Sequence, residues 1–137
     1  MIPATGSFHW RPAMPTPDEM RSAIESYIQM MCSNDVEGIL ALYAEGGTAE
    51  DPVGGKVQSG KEELRNFYAG TVPSLQVEIT GPIRVAGSEA AVPMLAELTM
   101  NENKLYLDVI DVMAFDDAGK IISMRAFWNP AEMRPTR

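Results

Sequence analysis

The chain has 137 residues, of which 45% are apolar and 22% charged, and its formal net charge is -8. That length fits one folded domain with a core of its own, and the composition excludes disorder for the chain as a whole. A nucleic-acid or anionic-membrane partner would require a basic face, so the negative charge disfavours both. The sequence has no apolar run of transmembrane length and no signal-peptide pattern, so we expect a cytoplasmic protein.

The single cysteine, Cys32, and the single histidine, His9, restrict the chemistry further. One cysteine forms no intramolecular disulfide and no cysteine zinc cluster. Residues 1–15, which include His9 and Trp10, are rich in proline and predict an N-terminal arm, whereas residues 16–137 predict one domain. An imidazole in such an arm supports no Ser-His-Asp or Cys-His catalysis and no usual zinc site. We expect no cofactor, which leaves proton transfer by carboxylates and phenols.

Three helices are predicted in the first half of the domain. Thr16-Pro17-Asp18-Glu19 is a capping-box sequence with proline at the first helical position, and it predicts a helix to about Met31. A second helix is predicted to begin after Asp35 and to end before Gly46-Gly47, and a third to run from Ser59 to Gly70. Apolar residues at helical spacing mark their buried faces, and each of these faces includes one tyrosine: Tyr27, Tyr43 and Tyr68.

From residue 75 onward the pattern changes to β-strands. Stretches of alternating or β-branched residues between turn residues predict four long strands: Leu75 to Val85, Glu89 to Met100, Leu105 to Phe115 and Ile121 to Trp128. A short extended segment is predicted at Thr48 to Pro52. Helices followed by an antiparallel meander indicate an α+β fold, with the helices packed on one face of a curved sheet.

Asp111 lies in a strand whose inward face is otherwise apolar. Because side chains alternate between the two faces of a strand, Asp111 shares its face with Val109 and Met113, and these two are candidates for the wall of a pocket. Loss of water disfavours a charged carboxylate and raises its pKa. An aspartate in such surroundings is a candidate functional residue.

The three helical tyrosines allow two interpretations. They are core residues whose hydroxyl groups bind backbone or water, or their faces converge on one cavity where the hydroxyl groups bond to each other and to Asp111. The pattern alone favours the first interpretation.

Asp51 is the second carboxylate of interest. It precedes Pro52 at the junction of a strand and a loop, where active-site groups often lie, although Asp-Pro in a loop is more often a simple turn. On the last strand Ile122, Met124, Ala126 and Trp128 are predicted to share a face. Met124 and Trp128 are candidates for pocket walls, with core packing as the alternative.

From about Pro17 to Trp128 the chain resembles the bacterial ketosteroid isomerases, which belong to the cone-shaped α+β superfamily that includes nuclear transport factor 2. Its markers, in chain order, are Tyr27 in Ser-Tyr-Ile, Tyr43 in Leu-Tyr-Ala, Glu-Asp-Pro at Asp51, Phe67-Tyr68, Thr80-Gly81-Pro82, Leu107-Asp108-Val109-Ile110-Asp111-Val112-Met113 and Met124-Arg125-Ala126-Phe127-Trp128. The N-terminal arm and the loop from Val53 to Ser59 depart from the family pattern.

The resemblance implies a homodimeric enzyme that moves the double bond of a 3-oxosteroid into conjugation. Asp51 matches the family's general base, and Tyr27 and Asp111 match its oxyanion hole. Tyr68 and Tyr43 match the tyrosines that support it, and Trp128 matches an aromatic residue beside the base. A dehydratase, cyclase or epoxide hydrolase of the same fold, or a non-catalytic domain that binds hydrophobic ligands, is the alternative.

The chemistry agrees with these implied roles. Removal of a proton beside a ketone places negative charge on the carbonyl oxygen, so a base must act together with donors aimed at that oxygen. Asp111 donates only while it is protonated, and ketosteroid isomerase is the established example of a carboxylic acid kept neutral in this way. Asp51, in a more open loop, is expected to stay ionised.

Overall fold

The computed structural model describes residues 15–137. It contains three helices, α1 (Pro17–Cys32), α2 (Val36–Leu42) and α3 (Gly60–Thr71). Its seven strands are β1 (Tyr43–Glu50), β2 (Val57–Ser59), β3 (Leu75–Ile79), β4 (Arg84–Ala86), β5 (Glu89–Met100), β6 (Asn103–Phe115) and β7 (Ile121–Phe127). The predicted arm over residues 1–15, including His9 and Trp10, lies outside the described residues except for Pro15.

The first helix begins as the sequence predicts. The Thr16 hydroxyl oxygen accepts the Glu19 N–H at 3.1 Å, and the Glu19 carboxylate accepts the Thr16 N–H at 2.8 Å, which completes the capping box. The two bonds satisfy backbone donors that lack partners within the helix. The buried side of α1 includes Ile24, Tyr27 and Met31, as the helical spacing predicts.

The strands form one mixed sheet in the order β2-β1-β7-β6-β5-β3, with β4 also paired to β5. Strands β1 and β7 are parallel, and the other pairs are antiparallel. Helices α1 and α3 contact strands of this sheet and bury one of its faces. The α+β prediction is therefore confirmed, and the parallel pair β1 and β7 brings the ends of two distant segments together.

Tyr43 does not lie on a helix, contrary to the prediction. Helix α2 ends at Leu42, and Tyr43 is the first residue of β1, with extended backbone geometry. The strand continues through Gly46 and Gly47, which were read as helix breakers. Tyr43 is nevertheless 3% exposed, since burial of its ring suits either element.

Two strand predictions also need correction. The segment from Leu75 to Val85 forms two strands, because residues 80–83 bulge out between the pairs that Ile79 and Arg84 make with β5. In β7 the register shifts at Ile122, so Ile121 is buried and Ile122 is 44% exposed. An extra residue in one strand reverses the alternation at that point, which composition alone does not reveal.

Of the helices in residues 15–137, none is both long and apolar enough to cross a bilayer.

Candidate active site

A cavity opens between the helices and the buried face of the sheet. It encloses about 560 Å³ of space between atoms, part of it open to solvent. Its lining is apolar apart from the indole of Trp128 and five residues with polar side chains: Tyr27, Asp51, Tyr68, Thr71 and Asp111. Two carboxyl groups and two phenols therefore face one hydrophobic space.

Asp111 lies deep in this cavity. Its neighbours across the sheet are Val92 on β5 and Ala126 on β7, and only 3% of the residue is exposed. Burial raises the pKa of its carboxyl well above the ordinary value, and the nearby charge of Asp51 raises it further. Among the hydrogen bonds within residues 15–137, none reaches the Asp111 carboxyl. The neutral acid is thus favoured, and its O–H is available to a ligand.

The three tyrosines converge, as the second interpretation of the sequence requires, but none of their hydroxyl groups bonds to Asp111, contrary to the other part of that interpretation. The Tyr68 hydroxyl lies 2.8 Å from that of Tyr27 and 2.6 Å from that of Tyr43. Burial is the largest effect that raises the pKa of all three phenols, so each keeps its proton. The two hydrogen bonds use two of the three O–H donors, so one O–H remains free to donate to another group. When Tyr43 donates to Tyr68 and Tyr68 to Tyr27, the free O–H is on Tyr27, which lines the cavity.

Asp51 reaches the cavity because two parallel strands end side by side. It follows β1, Trp128 follows β7, and Glu50 pairs with Arg125 at the last rung between the two strands. The Trp128 indole Nε1–H donates to Asp51 Oδ1 at 2.5 Å. Burial raises the Asp51 pKa, and the indole hydrogen bond lowers it. Asp51 is half-buried, so its surroundings disfavour ionisation less strongly than those of Asp111.

The loop after Asp51 is tied to the sheet on both sides. The Val53 N–H donates to the Ala126 carbonyl at 2.8 Å, and the Gly54 N–H donates to Glu50 Oε2 at 2.9 Å. The Glu50 carboxylate also accepts from Arg125, so it points away from the cavity. These bonds fix the backbone on which the Asp51 carboxylate is mounted.

The structure separates the predicted pocket residues into two groups. Val109 and Trp128 line the cavity. Met113 and Met124 do not, contrary to the prediction for both. They face each other across β6 and β7, two residues further along β6 than Asp111, and are 0% and 1% exposed. They pack in the core behind the cavity floor. The alternating pattern shows which face of a strand a residue occupies, but not how far along that face the cavity extends.

Several lining residues were missed by the sequence reasoning. Met31 and Phe67 come from helix faces that were read only as core, and Val77 and Leu98 come from strands without a polar marker. Met133 follows the last strand and carries no pattern at all. A polar residue in an apolar stripe stands out in a sequence, whereas an apolar wall does not.

Asp111 makes the free energy of unfolding depend on pH. Its folded-state pKa is raised, whereas the unfolded chain titrates near the ordinary value of about 3.9. Below that pH both states hold the proton. Above it only the unfolded state loses the proton, so stability falls as pH rises towards the folded pKa. We expect Asp111→Asn to melt above the wild type at pH 7 and at nearly the same temperature at pH 4.

Thermal melts followed by circular dichroism at both pH values check this expectation. Asp108→Asn is the matched control, because Asp108 lies on the solvent face of the same strand and pairs with Arg134. A gain for Asp111→Asn that is equal at pH 4 and pH 7, or that Asp108→Asn reproduces, would contradict a buried neutral acid at position 111.

Comparison with known proteins gives a family to this arrangement. A family described as SnoaL-like domain matches residues 24–124, which include the three tyrosines, Asp51 and Asp111. The chain belongs to the SnoaL-like family. The predicted superfamily and its cone-shaped fold are thereby confirmed.

The relatives of the chain are named for different reactions. The chain is 31% identical to the steroid Delta-isomerase of Nocardioides simplex over 115 residues, which cover 84% of this chain and 94% of the isomerase. It is 29% identical to the epoxide hydrolase LasB of Streptomyces lasalocidi, with 88% of this chain and 52% of the hydrolase covered. This chain therefore spans about half the length of that hydrolase.

A solved structure gives the same picture of the fold. The epoxide hydrolase/cyclase-like enzyme SalBIII, described in pyran ring formation in the polyether salinomycin, matches with a TM-score of 0.82 and 27% identity. The match covers 87% of this chain and 97% of SalBIII. The relatives are thus enzymes, and the choice among their reactions depends on the site.

Proposed function

We propose that this SnoaL-like protein is a cofactor-free steroid isomerase that moves the double bond of a β,γ-unsaturated 3-oxosteroid into conjugation. The observation that carries the proposal is the pair Asp51 and Asp111. Both face one apolar cavity, and the more deeply buried of the two has its pKa raised the more strongly. Carboxyl groups in unlike surroundings take the roles of base and hydrogen-bond donor.

In the proposed reaction the 3-oxo oxygen accepts hydrogen bonds from Tyr27 and protonated Asp111. The Asp51 carboxylate takes a proton from the carbon between the ketone and the double bond. The electron pair of that C–H bond moves into the ring system and gives a dienolate, whose oxygen charge the two donors stabilise. Asp51 then returns the proton two carbons further on, so the enzyme ends as it began.

The rest of the cavity suits a large, rigid and apolar substrate. Aliphatic and aromatic side chains from α1, α3, β3, β5 and β6 form the walls, and a steroid nucleus gains free energy when such surfaces leave water. The Nocardioides relative is named for a steroid substrate and aligns over most of both chains. Its likeness supports the same substrate class here.

Epoxide opening is the second candidate, because two relatives are described as epoxide enzymes and the same two carboxyl groups fit it. Asp51 would deprotonate a water or an alcohol of the substrate while Asp111 gives its proton to the epoxide oxygen. The difference lies at Asp111, which keeps its proton in the isomerisation and transfers it in the epoxide opening. The tyrosine chain, which ends in a donor at Tyr27, favours the enolate.

The test measures absorbance at the conjugated-enone band after a β,γ-unsaturated 3-oxosteroid is mixed with the protein. A polycyclic epoxide, followed by chromatography, is run in parallel. The proposal expects enone formation well above buffer and no epoxide turnover. Epoxide turnover alone would select the second candidate, and steroid binding without either reaction would indicate a non-catalytic binding domain.

We also propose that the protein is a homodimer that associates through the solvent face of β6 and β7. Ile110 and Phe127 are neighbours across these strands and are 47% and 41% exposed, and Ile122 on the same pair of strands is 44% exposed. Exposed large apolar side chains grouped on one pair of strands are typical of an interface.

Ile110→Glu is expected to convert the dimer into a monomer of 15.0 kDa, because the interface would bury an unpaired charge. Light scattering coupled to size exclusion measures the mass. Met100→Glu is the control, since Met100 is as exposed but lies at the far end of β5. A wild-type mass equal to one chain would refute the dimer.

A further inference from the structure

The C-terminal tail, residues 129–137, returns to the sheet after β7 ends. Arg134 and Tyr106 form an antiparallel bridge, with hydrogen bonds of 2.8 Å and 3.0 Å between their N–H and carbonyl groups. Strand β7 pairs with β6 only from Ile110 onward, so the tail covers the part of the β6 edge that β7 leaves open. An edge paired in this way has a defined register.

Two ion pairs fix the tail on the solvent side. The Arg134 guanidinium donates to both Asp108 carboxylate oxygens at 3.1 Å and 3.3 Å, and Arg137 donates to Glu78 at 2.6 Å. Exposed pairs contribute little stability each, but a bidentate arginine fixes geometry. With Arg134 turned to solvent, the alternation of side chains turns Met133 to the opposite face.

Met133 is accordingly half-buried and lines the cavity. The bridge between Arg134 and Tyr106 places it beside Leu107, four residues before Asp111 on β6. At about 3.4 Å per residue, that separation is roughly 14 Å along the strand. The distance is comparable with the long axis of a four-ring steroid whose 3-oxo group lies at Asp111.

We propose that Met133 determines specificity for the substituent at the distal end of the steroid, opposite the 3-oxo group. This inference rests on the proposed isomerase function. The strand residues that line the cavity at and beyond the level of Met133 are all apolar: Leu75, Val77, Ala96, Leu98 and Leu107. Thr71 at the end of α3 also lines the cavity, but its hydroxyl already donates its proton to the Phe67 carbonyl at 2.8 Å. A hydroxyl placed against the apolar strand residues loses water and gains no donor, so an alkyl substituent is favoured over a hydroxyl.

The experiment uses two 3-oxosteroids that differ only at the distal carbon, one with a hydroxyl and one with a short alkyl group. We measure kcat/KM for the two β,γ-unsaturated substrates and Kd for the two conjugated products. Met133→Gln keeps the length of the side chain and supplies an amide. This variant is expected to change the ratio of the two kcat/KM values, and the ratio of the two Kd values, in favour of the hydroxylated steroid by about tenfold or more. Met30→Gln is the matched control, because Met30 is also half-buried but lies outside the cavity lining.

A second variant tests the tail that holds Met133. Arg134→Pro removes the N–H that binds the Tyr106 carbonyl and the charge that binds Asp108. We expect it to reduce the preference for the alkyl steroid, measured as the same ratios of kcat/KM and Kd. An unchanged ratio in Met133→Gln, or an equal change in Met30→Gln, would refute the role of Met133 while leaving the isomerase intact. Failure of both products to bind wild type would instead refute the proposed function.

Discussion

Replacement of Asp51 by asparagine is expected to lower kcat/KM for the isomerisation by roughly 10²-fold or more, because an amide cannot take the proton. The substitution keeps the size of the side chain, and the amide oxygen still accepts the hydrogen bond from the Trp128 indole. A loss of rate therefore reports the missing base rather than a displaced loop. Stopped-flow measurement of enone formation gives the comparison.

Glu50→Gln is the control for this variant. Glu50 precedes Asp51 but points outward to Arg125 and Gly54, so only a small loss is expected. Wild-type rate in Asp51→Asn would mean that the base lies elsewhere. The pH profile gives a second readout: kcat/KM should rise with pH through the Asp51 pKa, which burial raises above its ordinary value of about 3.9. Trp128→Phe removes the N–H that lowers this pKa, so the rise should move to higher pH.

Asp111→Ala is expected to lower kcat by about 10² to 10³-fold, as loss of one oxyanion donor does in other enzymes. Burial, together with the nearby charge of Asp51, keeps the proton on Asp111 and makes it a donor. In the proposed reaction an ionised carboxylate would instead repel the charge that develops on the substrate oxygen. The Tyr27 hydroxyl remains in this variant and accounts for the residual activity. The folded state is checked by circular dichroism, because alanine also leaves a small cavity.

Asp111→Asn separates donation from charge. An asparagine amide still donates a hydrogen bond, so this variant is expected to retain more isomerase activity than alanine. If the asparagine and alanine variants are equally impaired, the proposed hydrogen bond from residue 111 to the substrate is wrong. Asp108→Asn, on the other face of the same strand, is expected to keep near-wild-type kcat. Asp111 is expected to act as a protonated acid and Asp51 as an ionised base. The two sets of variants therefore test opposite protonation states of an aspartate.

The buried carboxyl group of the candidate site was predictable because it contradicts its local pattern. Asp111 interrupts an apolar alternation, and the period of a strand then fixes which face it occupies. Tyr27 and Tyr68 lie on apolar helix faces at the predicted spacing, but the spacing alone favoured separate core residues, and only the family resemblance indicated that their hydroxyl groups act together. The prediction for Tyr43 named the right residue on the wrong element, since burial of a ring does not distinguish the end of a helix from the start of a strand.

The shape of the cavity was not predictable in the same way. Met113 and Met124 share a face with true lining residues, but the strand pattern does not show where the cavity floor lies. The bulge at Ile122 follows from the pairing of β6 with β7, which is a long-range event. Met133 reaches the cavity only because the tail finds the open edge of β6, a contact between segments that are far apart in the sequence.

The neutral acid at position 111 has a consequence for the evolution of this protein. Because burial raises its pKa, we expect the folded state to be less stable at neutral pH than with an uncharged amide in the same place. Selection for thermal stability alone would therefore act against this carboxyl group, and only a requirement for turnover retains it. A laboratory library selected for heat resistance without an activity screen should lose Asp111 early, while the outward-facing Asp108 on the same strand drifts without that bias.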